Sequence, residues 1–229
     1  MINDLKVIAV IPARGGSKGI KKKNIKKICG KPLIEYTYET AKEVAEIDYL
    51  LVSTDDDEIL KVALSAGISV IKRPDELSTD EAKTETCLIH AIDFIEERDS
   101  VKLDIVLVLE PTSPLRTKET IKRAIEMIDS GYESILAVKQ TTENIGFIKD
   151  GFFRTVIKDA PRRRQLRESF YIESSTIYAS TVDFLKTTGS LTSDNWGALE
   201  VSAEEAQDIN TEDDFNYINY LLNRRIKNG

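Results

Sequence analysis

Short apolar runs alternate with segments of helical periodicity from the start of this chain to about residue 138. Each apolar run is rich in β-branched residues and has the length of a buried strand, and each helical segment can return the chain to the start of another strand. This alternation predicts right-handed crossovers and an α/β fold, a Rossmann-like three-layer αβα sandwich with a mostly parallel sheet. The predicted strands are 7–12, 49–53, 69–72, 104–109 and 134–138, and the predicted helices are 33–45, 58–65, 81–97 and 118–130.

The rhythm changes after the last of these strands. Residues 147–153 predict a hairpin that turns at Asp150 and Gly151, and residues 140–180 as a whole are interpreted as an excursion from the sheet. Because no repeat, low-complexity tract or linker interrupts the chain, we expect a single domain over 1–229. The remaining predicted elements are strands at 172–180 and 198–201 and a closing amphipathic helix over 211–226.

The first predicted strand leads directly into a loop of small and cationic residues. It reads Arg14-Gly15-Gly16-Ser17-Lys18-Gly19 and continues to Asn24. Glycines let backbone N–H groups approach an oxyanion, while arginine offers phosphate oxygens a planar fork and lysine a point charge. The sequence matches neither the P-loop nor the dinucleotide-binding Gly-x-Gly-x-x-Gly fingerprint. Because ligands bind at the carboxyl ends of strands in α/β sheets, the loop predicts another kind of phosphate site. A glycine-rich turn with a solvated basic face is the alternative.

The charges are unevenly distributed along the chain. The formal net charge is −7, which argues against nucleic acid as a partner because recognition of a phosphate polymer normally produces a basic domain. Yet eight basic residues and no acidic ones lie between Arg14 and Lys31, and a second basic cluster spans 162–167. Local cationic clusters on an acidic protein favour a small anionic ligand.

The chain has too few cysteines and histidines for a zinc site built from these residues. The chain has two cysteines and one histidine, His90, which cannot supply the four ligands of a Cys/His zinc site. We therefore expect catalysis that does not depend on histidine. No apolar segment approaches the length of a membrane helix, and the start lacks the pattern of a signal peptide. We accordingly expect a cytoplasmic protein without a membrane partner.

Five spaced segments carry a family resemblance. They are 11–19, 52–55, 73–77, 111–116 and 163–165, which read IPARGGSKG, VSTD, RPDEL, PTSPLR and RRQ. Together they resemble the acylneuraminate cytidylyltransferases, the CMP-sialic acid synthetases and their relatives acting on other nonulosonic acids. The resemblance implies a nucleotidyltransferase in which the anomeric hydroxyl of an α-keto acid sugar attacks the α-phosphorus of CTP and releases pyrophosphate, with Mg²⁺ as cofactor. It also implies a homodimer whose dimerisation arm is the 140–180 excursion.

The resemblance assigns the nucleotide contacts. The first loop would grip the phosphates, in agreement with its physical interpretation, and Arg73 and Thr84 would lie against the base and ribose. Neutralising charge on phosphoryl oxygens is the main work of such catalysis, so Arg14 and Lys18 are also predicted to be catalytic, together with Asp208. The predicted nucleotide-binding residues are Arg14, Gly15, Gly16, Ser17, Lys18, Asn24, Arg73 and Thr84.

Metal ligands are expected to be oxygen donors, because Mg²⁺ prefers carboxylates and phosphate oxygens. The resemblance selects Asp208 and Asn210, which stand where relatives commonly carry Asp-Ile-Asp before the last helix. The amide of Asn210 can offer a carbonyl oxygen but no charge. As an alternative, Asn210 or Thr211 caps that helix.

Two departures from the family pattern fall where relatives contact the sugar. Glu110 replaces a glutamine that usually precedes Pro-Thr-Ser-Pro-Leu-Arg, and the segment 171–178, which contains Glu173, departs where relatives tend to show Asn-Gly-Ala-Ile-Tyr. A carboxylate about 4 Å from the sugar carboxylate would be repelled by roughly 4 kcal/mol at an effective dielectric near 20. The predicted sugar contacts are Glu110, Ser113, Arg116 and Glu173, with Arg164 and Gln165 reaching the site of the other subunit.

These departures predict an acidic nine-carbon sugar other than N-acetylneuraminate, of the legionaminic or pseudaminic type. GTP as the nucleotide, as in some legionaminate-activating relatives, stays open. So do a sugar-1-phosphate nucleotidyltransferase and a glycosyltransferase built on the same sheet. A non-catalytic nucleotide-binding module is a further alternative, prompted by the amide of Asn210.

Overall fold

A central β-sheet covered by helices forms the body of the computed structural model, which describes residues 5–16, 19–79 and 81–228. Within these ranges the strands are β1 (Val7–Pro12), β2 (Lys27–Ile28), β3 (Lys31–Pro32), β4 (Tyr49–Thr54), β5 (Val70–Lys72), β6 (Ile105–Val108), β7 (Ser134–Thr141), β8 (Gly146–Lys149), β9 (Phe152–Thr155), β10 (Phe170–Thr181) and β11 (Gly197–Glu200). The helices are α1 (Leu33–Lys42), α2 (Asp57–Ser65), α3 (Thr84–Asp99), α4 (Lys118–Asp129), α5 (Val182–Thr188) and α6 (Glu212–Asn228).

The sheet has seven strands in the order β11-β7-β10-β6-β1-β4-β5. β1 runs parallel to both neighbours, β4 and β6, and the outer pairs β4–β5 and β7–β11 are also parallel. Only β10 is antiparallel to its neighbours, β6 and β7. The prediction of a mostly parallel αβα sandwich is confirmed.

Helices cover both faces of the sheet, which explains why its central strands are continuous apolar runs. Every residue of β1 up to Ile11 is fully buried. Helices α1, α2 and α4 pack on one face, and α3 and α5 pack on the other. Because both faces of the sheet are covered, polar side chains that could bind a ligand lie in the loops at the strand ends.

Helix α6 is attached at the sheet edge by a third apolar cluster. Because Ile209 is fully buried in this cluster, the segment that leads into α6 is fixed against the loops that follow β1 and β6. The buried members of the cluster are Ile20, Ile28, Leu33, Leu115, Ile209, Phe215, Ile218, Leu221 and Leu222.

Helix boundaries differ from the predictions where capping decides them. Helix α3 begins at Thr84 instead of residue 81, because Lys83 still has extended backbone, with φ −73° and ψ 149°. Helix α5 was not predicted, since seven residues are too few to show periodicity. It begins after Thr181, whose Oγ1 accepts a hydrogen bond from the Phe184 amide at 3.2 Å, and ends at Gly189 with φ 65°.

The β8–β9 hairpin stands apart from the main sheet as a separate two-stranded ribbon. It turns at Asp150 and Gly151, whose φ values of 53° and 79° suit a primed hairpin turn, so the predicted hairpin is confirmed. We call residues 140–170 the arm. Several of its large apolar side chains are exposed: Phe147, Ile148, Phe152, Phe153, Val156 and Leu166.

In the described part of the chain, none of the helices combines the length and the apolar character needed to cross a membrane.

Candidate active site

Four loops that follow parallel strands meet at the carboxyl edge of the sheet. The loop after β1 contacts the loop after β4, because the Gly15 amide donates to Asp55 Oδ1 at 3.1 Å. The chain after β5 joins the same edge through the Arg73 amide, which donates to the Thr54 carbonyl at 2.7 Å. The loop after β6 begins at Leu109, whose amide bonds to Val10 of β1 at 3.0 Å. This is the edge at which α/β sheets bind ligands.

The loop after β1 is held in shape from within. Asn24 is buried, and its Nδ2 donates to the Arg14 carbonyl at 3.1 Å. Asn24 therefore supports the loop from below, while its predicted phosphate contact stays a prediction. Ser17 and Lys18 lie outside the described residues, so their predicted roles are carried forward as predictions.

Gly19 is required where the cationic loop meets the segment before α6. A Cβ at Gly19 would lie 2.4 Å from the Asn210 carbonyl oxygen, well inside van der Waals contact. The close approach lets the loop that bears Arg14 pack directly against the segment that bears Asp208. The absence of a Cβ at Gly19 thus allows the backbone of this loop to lie against the backbone of the segment before α6.

Replacing Gly19 with alanine should lower the free energy of unfolding by about 1–3 kcal/mol, because the backbone oxygen of Asn210 cannot move aside without displacing buried Ile209. Urea denaturation followed by circular dichroism measures the effect. Gly16→Ala is the matched control, since a Cβ at Gly16 meets no atom within 4 Å. Equal stability of the two variants would contradict the assigned contact.

A cavity of about 270 Å³ lies at the carboxyl edge and brings together several predicted residues. Arg73 forms its floor; the guanidinium is buried and donates through Nη2 to the Ser53 carbonyl at 2.9 Å and through Nε to Ser53 Oγ at 3.2 Å. A buried cation held by neutral acceptors keeps its charge available to an anionic ligand. The lining residues are Pro12, Arg14, Arg73, Leu77, Thr79, Ala82, Lys83, Thr84, Cys87 and Glu110.

The segment before α6 is bonded to two of the loops at this edge. The Ile209 amide donates to the Thr112 carbonyl at 3.0 Å, which ties the segment to the loop after β6. The Ile209 carbonyl accepts from Lys23 Nζ at 2.7 Å, which ties it to the cationic loop. Asp208 is thereby held between the two loops.

Burial and charge act together on Glu110. Burial, followed by the negative charge on Asp208, raises the pKa of Glu110 to about 7, against the opposing influence of Arg116 and Lys23. Burial likewise lowers the pKa of Lys23, and the charges on Asp208 and Glu110 oppose that shift. The edge therefore carries two mutually repelling carboxylates with a lysine between the segments that bear them.

Arg116 and Ser113 are buried, and their polar groups bond to neighbouring parts of the chain. Arg116 is buried and donates to the Glu110 carbonyl at 2.9 Å, to Thr37 Oγ1 at 3.3 Å and to the Thr176 carbonyl. Burial lowers its pKa to about 10. Ser113 is also fully buried, with its Oγ 3.3 Å from Ser175 Oγ. Both side chains bond inside the protein and shape the loop after β6, while their predicted sugar contacts stay predictions.

Glu173 lies on the exposed side of β10 and is joined to the site by a tyrosine. Its Oε1 accepts from the Tyr178 hydroxyl at 2.7 Å across the bulge between Ser174 and Tyr178. Burial, the hydrogen bond to Glu173 and the charges on Glu110 and Asp208 all raise the pKa of Tyr178. Tyr178 therefore lies within electrostatic reach of both carboxylates.

Arg164 and Gln165 are not brought to this edge within one chain. They lie in the arm, where Arg164 Nε donates to Thr142 Oγ1 at 2.8 Å. A larger cavity of about 480 Å³ is lined by Gln165 and other arm residues, but it contains neither Glu110 nor Asp208. We place the chemistry at the carboxyl edge, because charge and converging loops coincide there.

Sequence reasoning missed three residues that build this site. Lys23 belongs to the cationic run, which was the available signal for it. Tyr178 and Glu205 gave no signal in the sequence. Glu205 anchors the turn before Asp208, because its carboxylate accepts from Thr120 Oγ1 at 2.6 Å as well as from other hydroxyls. The others are those of Thr117 at 2.8 Å and Ser202 at 3.0 Å.

A cationic loop, a cavity lined by Arg14 and Arg73, and the carboxylate of Glu110 thus meet at one edge of an α/β sheet. The chain belongs to the cytidylyltransferase family, whose model matches residues 8–186.

Three similar proteins illustrate the relationship. An N-acylneuraminate cytidylyltransferase of Streptococcus agalactiae serotype III is 31% identical over 223 residues, which are 93% of this chain but only 52% of that protein. The chain thus spans about half the length of this relative. The CMP-N,N'-diacetyllegionaminic acid synthase of Legionella pneumophila is 38% identical over 135 residues, 58% of each protein. A solved structure of CMP:2-keto-3-deoxy-manno-octonic acid synthetase complexed with CTP has a TM-score of 0.73 at 18% identity, covering 96% of this chain and 99% of that one; at that identity it shows the shared fold.

Proposed function

We propose that this chain transfers CMP from CTP to the anomeric hydroxyl of a nonulosonic acid and releases pyrophosphate. The hydroxyl oxygen forms a bond to the α-phosphorus, the bond from that phosphorus to the pyrophosphate oxygen breaks, and the hydroxyl proton leaves to solvent. The observation that carries the proposal is the cavity that joins Arg14, Arg73 and Thr84 to Glu110 at the carboxyl edge. Family membership supports the cytidylyl donor.

The chain's own residues have three tasks in this reaction. Arg14, and Lys18 by its predicted role, hold the phosphates and offset the charge that spreads over their oxygens. Arg73 and Thr84 hold the nucleoside in the cavity. Lys23 fixes the segment of Asp208 beside the cationic loop through its 2.7 Å bond to Ile209. Orientation and charge neutralisation thus do most of the work.

The donors at this edge fit Mg²⁺. Asp208 Oδ1 is buried and no described residue donates a hydrogen bond to it, which suits a hard oxygen ligand for a cation. Mg²⁺ prefers one or two carboxylates together with phosphate oxygens and water, a set that this site with a bound triphosphate can provide. When bound, the ion supplies positive charge to the phosphoryl oxygens. We propose Asp208, with Asn210 beside it, as the part of the chain that holds it.

The sugar is proposed to be a legionaminic-type or pseudaminic-type acid. We propose that Glu110 and Glu173 face the sugar, where by resemblance a plain N-acetylneuraminate site has neutral groups. A sugar with additional amino-derived donors would meet these acceptors. The legionaminic relative supports this choice, because its name describes N,N'-diacetyllegionaminic acid joined to CMP as the product.

A direct test combines binding with product analysis. CTP should bind in the presence of Mg²⁺, and incubation with a panel of nonulosonic acids should yield one CMP-sugar, identified by mass, with equimolar pyrophosphate. CTP binding without turnover on any acid would instead favour a non-catalytic nucleotide-binding module. Absence of CTP binding would overturn the proposal.

We also propose a homodimer formed through the arm. Its apolar side chains are strongly exposed, with Ile148 78% and Phe152 64% accessible, and a contiguous exposed apolar surface is typical of an interface. Pairing of two arms would bring Arg164 and Gln165 toward the other subunit's site, where a fork of guanidinium donors suits a sugar carboxylate. This accounts for their distance from the edge in a single chain.

Ile148→Lys should convert the dimer to a monomer, because a charge placed in an apolar interface loses its hydration without gaining a partner. Size-exclusion chromatography with light scattering measures the mass. Leu64→Lys on α2 is the matched control, since Leu64 is also exposed, at 57%, but lies outside the arm. An unchanged mass for both variants at a dimer's value would show that the interface lies elsewhere.

A further inference from the structure

Ser53 lies between the start of the cationic loop and Arg73. It stands near the end of β4, in the 52–55 motif, and it is fully buried. Its carbonyl accepts two hydrogen bonds, one from the Ala13 amide at 2.9 Å and one from Arg73 Nη2 at 2.9 Å. Because Ala13 directly precedes Arg14, one backbone oxygen joins the start of the cationic loop to the buried arginine of the cavity.

The side chain of Ser53 makes a second contact with the same guanidinium. Arg73 Nε donates to Ser53 Oγ at 3.2 Å, so the carbonyl and the hydroxyl of one residue hold two neighbouring donors of the arginine. The backbone of Arg73 is fixed as well, because its amide donates to the Thr54 carbonyl at 2.7 Å. A planar guanidinium held at two donors has little freedom to turn.

Cys87 bonds to the same hydroxyl. It lies near the start of α3, and its Sγ donates to Ser53 Oγ at 3.2 Å, with both side chains buried. Burial raises the pKa of the Cys87 thiol against the opposing charge of Arg73, so the thiol keeps the proton that it donates. The hydroxyl oxygen of Ser53 therefore accepts from the thiol and from the guanidinium at once, which fixes its position.

The donors of Arg73 are divided between the protein and the cavity. Arg73 and Cys87 line the cavity at the carboxyl edge, whereas Ser53 is not among its lining residues. The two bonds to Ser53 use Nε and one hydrogen of Nη2, and no described residue accepts a hydrogen bond from Nη1. The hydrogens of Nη1 and the second hydrogen of Nη2 are thus the donors left for a ligand.

We propose that Ser53 is a positioning residue that directs Arg73 toward the nucleotide, and that Cys87 holds the Ser53 hydroxyl in place. The inference rests on the proposed function, in which Arg73 holds the nucleoside. Without the hydroxyl, Nε would lose its buried acceptor, and one hydrogen bond to Ser53 instead of two would hold the guanidinium. Other orientations of Arg73 would then compete with the one that binds CTP, which lowers the apparent affinity.

The test compares CTP binding with turnover in the full-length protein. Ser53→Ala removes the hydroxyl and keeps the carbonyl. It should weaken CTP binding in the presence of Mg²⁺ about fivefold to tenfold, measured by isothermal titration calorimetry, and should change kcat at saturating CTP less than about twofold. Ser134→Ala is the matched control, because Ser134 is also fully buried but its hydroxyl bonds to Ser193, outside the cavity.

A double-mutant cycle distinguishes positioning from a contribution to the fold. In an Arg73→Met background, Ser53→Ala should weaken CTP binding by less than about a further twofold, because no guanidinium is left to position. Cys87→Ala should also weaken CTP binding. Cys87→Ser, which keeps a donor for the Ser53 hydroxyl, should recover most of that loss.

Wild-type CTP affinity in Ser53→Ala would overturn the inference and leave the proposed function intact. An equal loss with and without Arg73 would also overturn it, because Ser53 would then act on the fold and not through the arginine. A Cys87→Ser variant that binds no better than Cys87→Ala would contradict the role given to the thiol. If the wild-type protein does not bind CTP, the proposed function fails together with the inference.

Discussion

Replacing Asp208 with asparagine should lower kcat for pyrophosphate release by at least about a hundredfold. The carboxylate is the one group at the edge with a buried oxygen that no described donor satisfies. An amide would keep its shape but lose the charge that attracts a hard cation, and metal assistance contributes several kcal/mol to such a transition state. Steady-state kinetics at saturating CTP and Mg²⁺ measure the effect.

Asp213→Asn is the control for this result. Asp213 lies in the first turn of α6, a few residues beyond Asp208, and is exposed. Its removal subtracts the same charge from the same region without touching the edge. A loss of kcat shared equally by both variants would indicate a long-range charge effect and contradict the role given to Asp208.

Replacing Arg116 with methionine should lower the free energy of unfolding by about 2–4 kcal/mol. The guanidinium satisfies the Glu110 and Thr176 carbonyls and the Thr37 hydroxyl, and each buried acceptor left without a donor costs about 1–3 kcal/mol. Methionine removes the cost of burying a charge, visible in the lowered pKa of Arg116, which offsets part of the loss. The cost of the unpaired acceptors should exceed the gain from no longer burying a charge, because Arg116 bonds to three acceptors at once.

Urea denaturation measures this loss, with Arg123→Met as the matched control. Arg123 lies on α4, is exposed and makes one hydrogen bond, to the Glu200 carbonyl at 3.2 Å, so its replacement should change stability by less than about 0.5 kcal/mol. Arg116→Met with wild-type stability would show that the buried hydrogen bonds contribute no net stabilisation. Retained stability with a raised KM for the sugar would support the predicted sugar contact of Arg116.

The main sheet could be predicted from the sequence because burial on both faces imposes continuous apolar runs. β1 shows the rule most clearly, and the cationic loop after it marked the edge of the sheet that matters. The strands β2 and β3 could not be predicted, because each has only two residues and so shows no periodicity. Helix α5 escaped for a similar reason, although Thr181 and Gly189 could have marked its ends.

The sequence motifs predicted which loops form the candidate site. They predicted less well the role of residues whose side-chain orientation decides whether they face a ligand or the protein interior. Arg14, Arg73 and Thr84 line one cavity, as the motifs indicated. Arg116 belongs to an equally clear motif but points inward, because its loop needs donors for its own carbonyls. A sequence does not reveal that choice, which depends on residues as distant as Thr37 and Thr176.

Glu110 illustrates the same limit from the opposite side. Its departure from the family pattern was visible in the sequence, and it was assigned to the sugar by position alone. The structure adds what position does not show: burial and the negative charge of Asp208, nearly a hundred residues further along the chain, raise the pKa of Glu110 to about 7. Charge at an active site is a property of the folded arrangement, and only the tertiary structure shows which charged groups influence one another.

Pyrophosphate release measured for CTP and GTP, each with N-acetylneuraminic, legionaminic and pseudaminic acids, tests the central claim most directly. We expect the highest kcat/KM for CTP with a legionaminic-type or pseudaminic-type acid, and loss of turnover when Mg²⁺ is chelated. Preference for CTP with N-acetylneuraminic acid would contradict the sugar assignment drawn from Glu110 and Glu173. Absence of pyrophosphate release from every combination would contradict the proposed reaction itself.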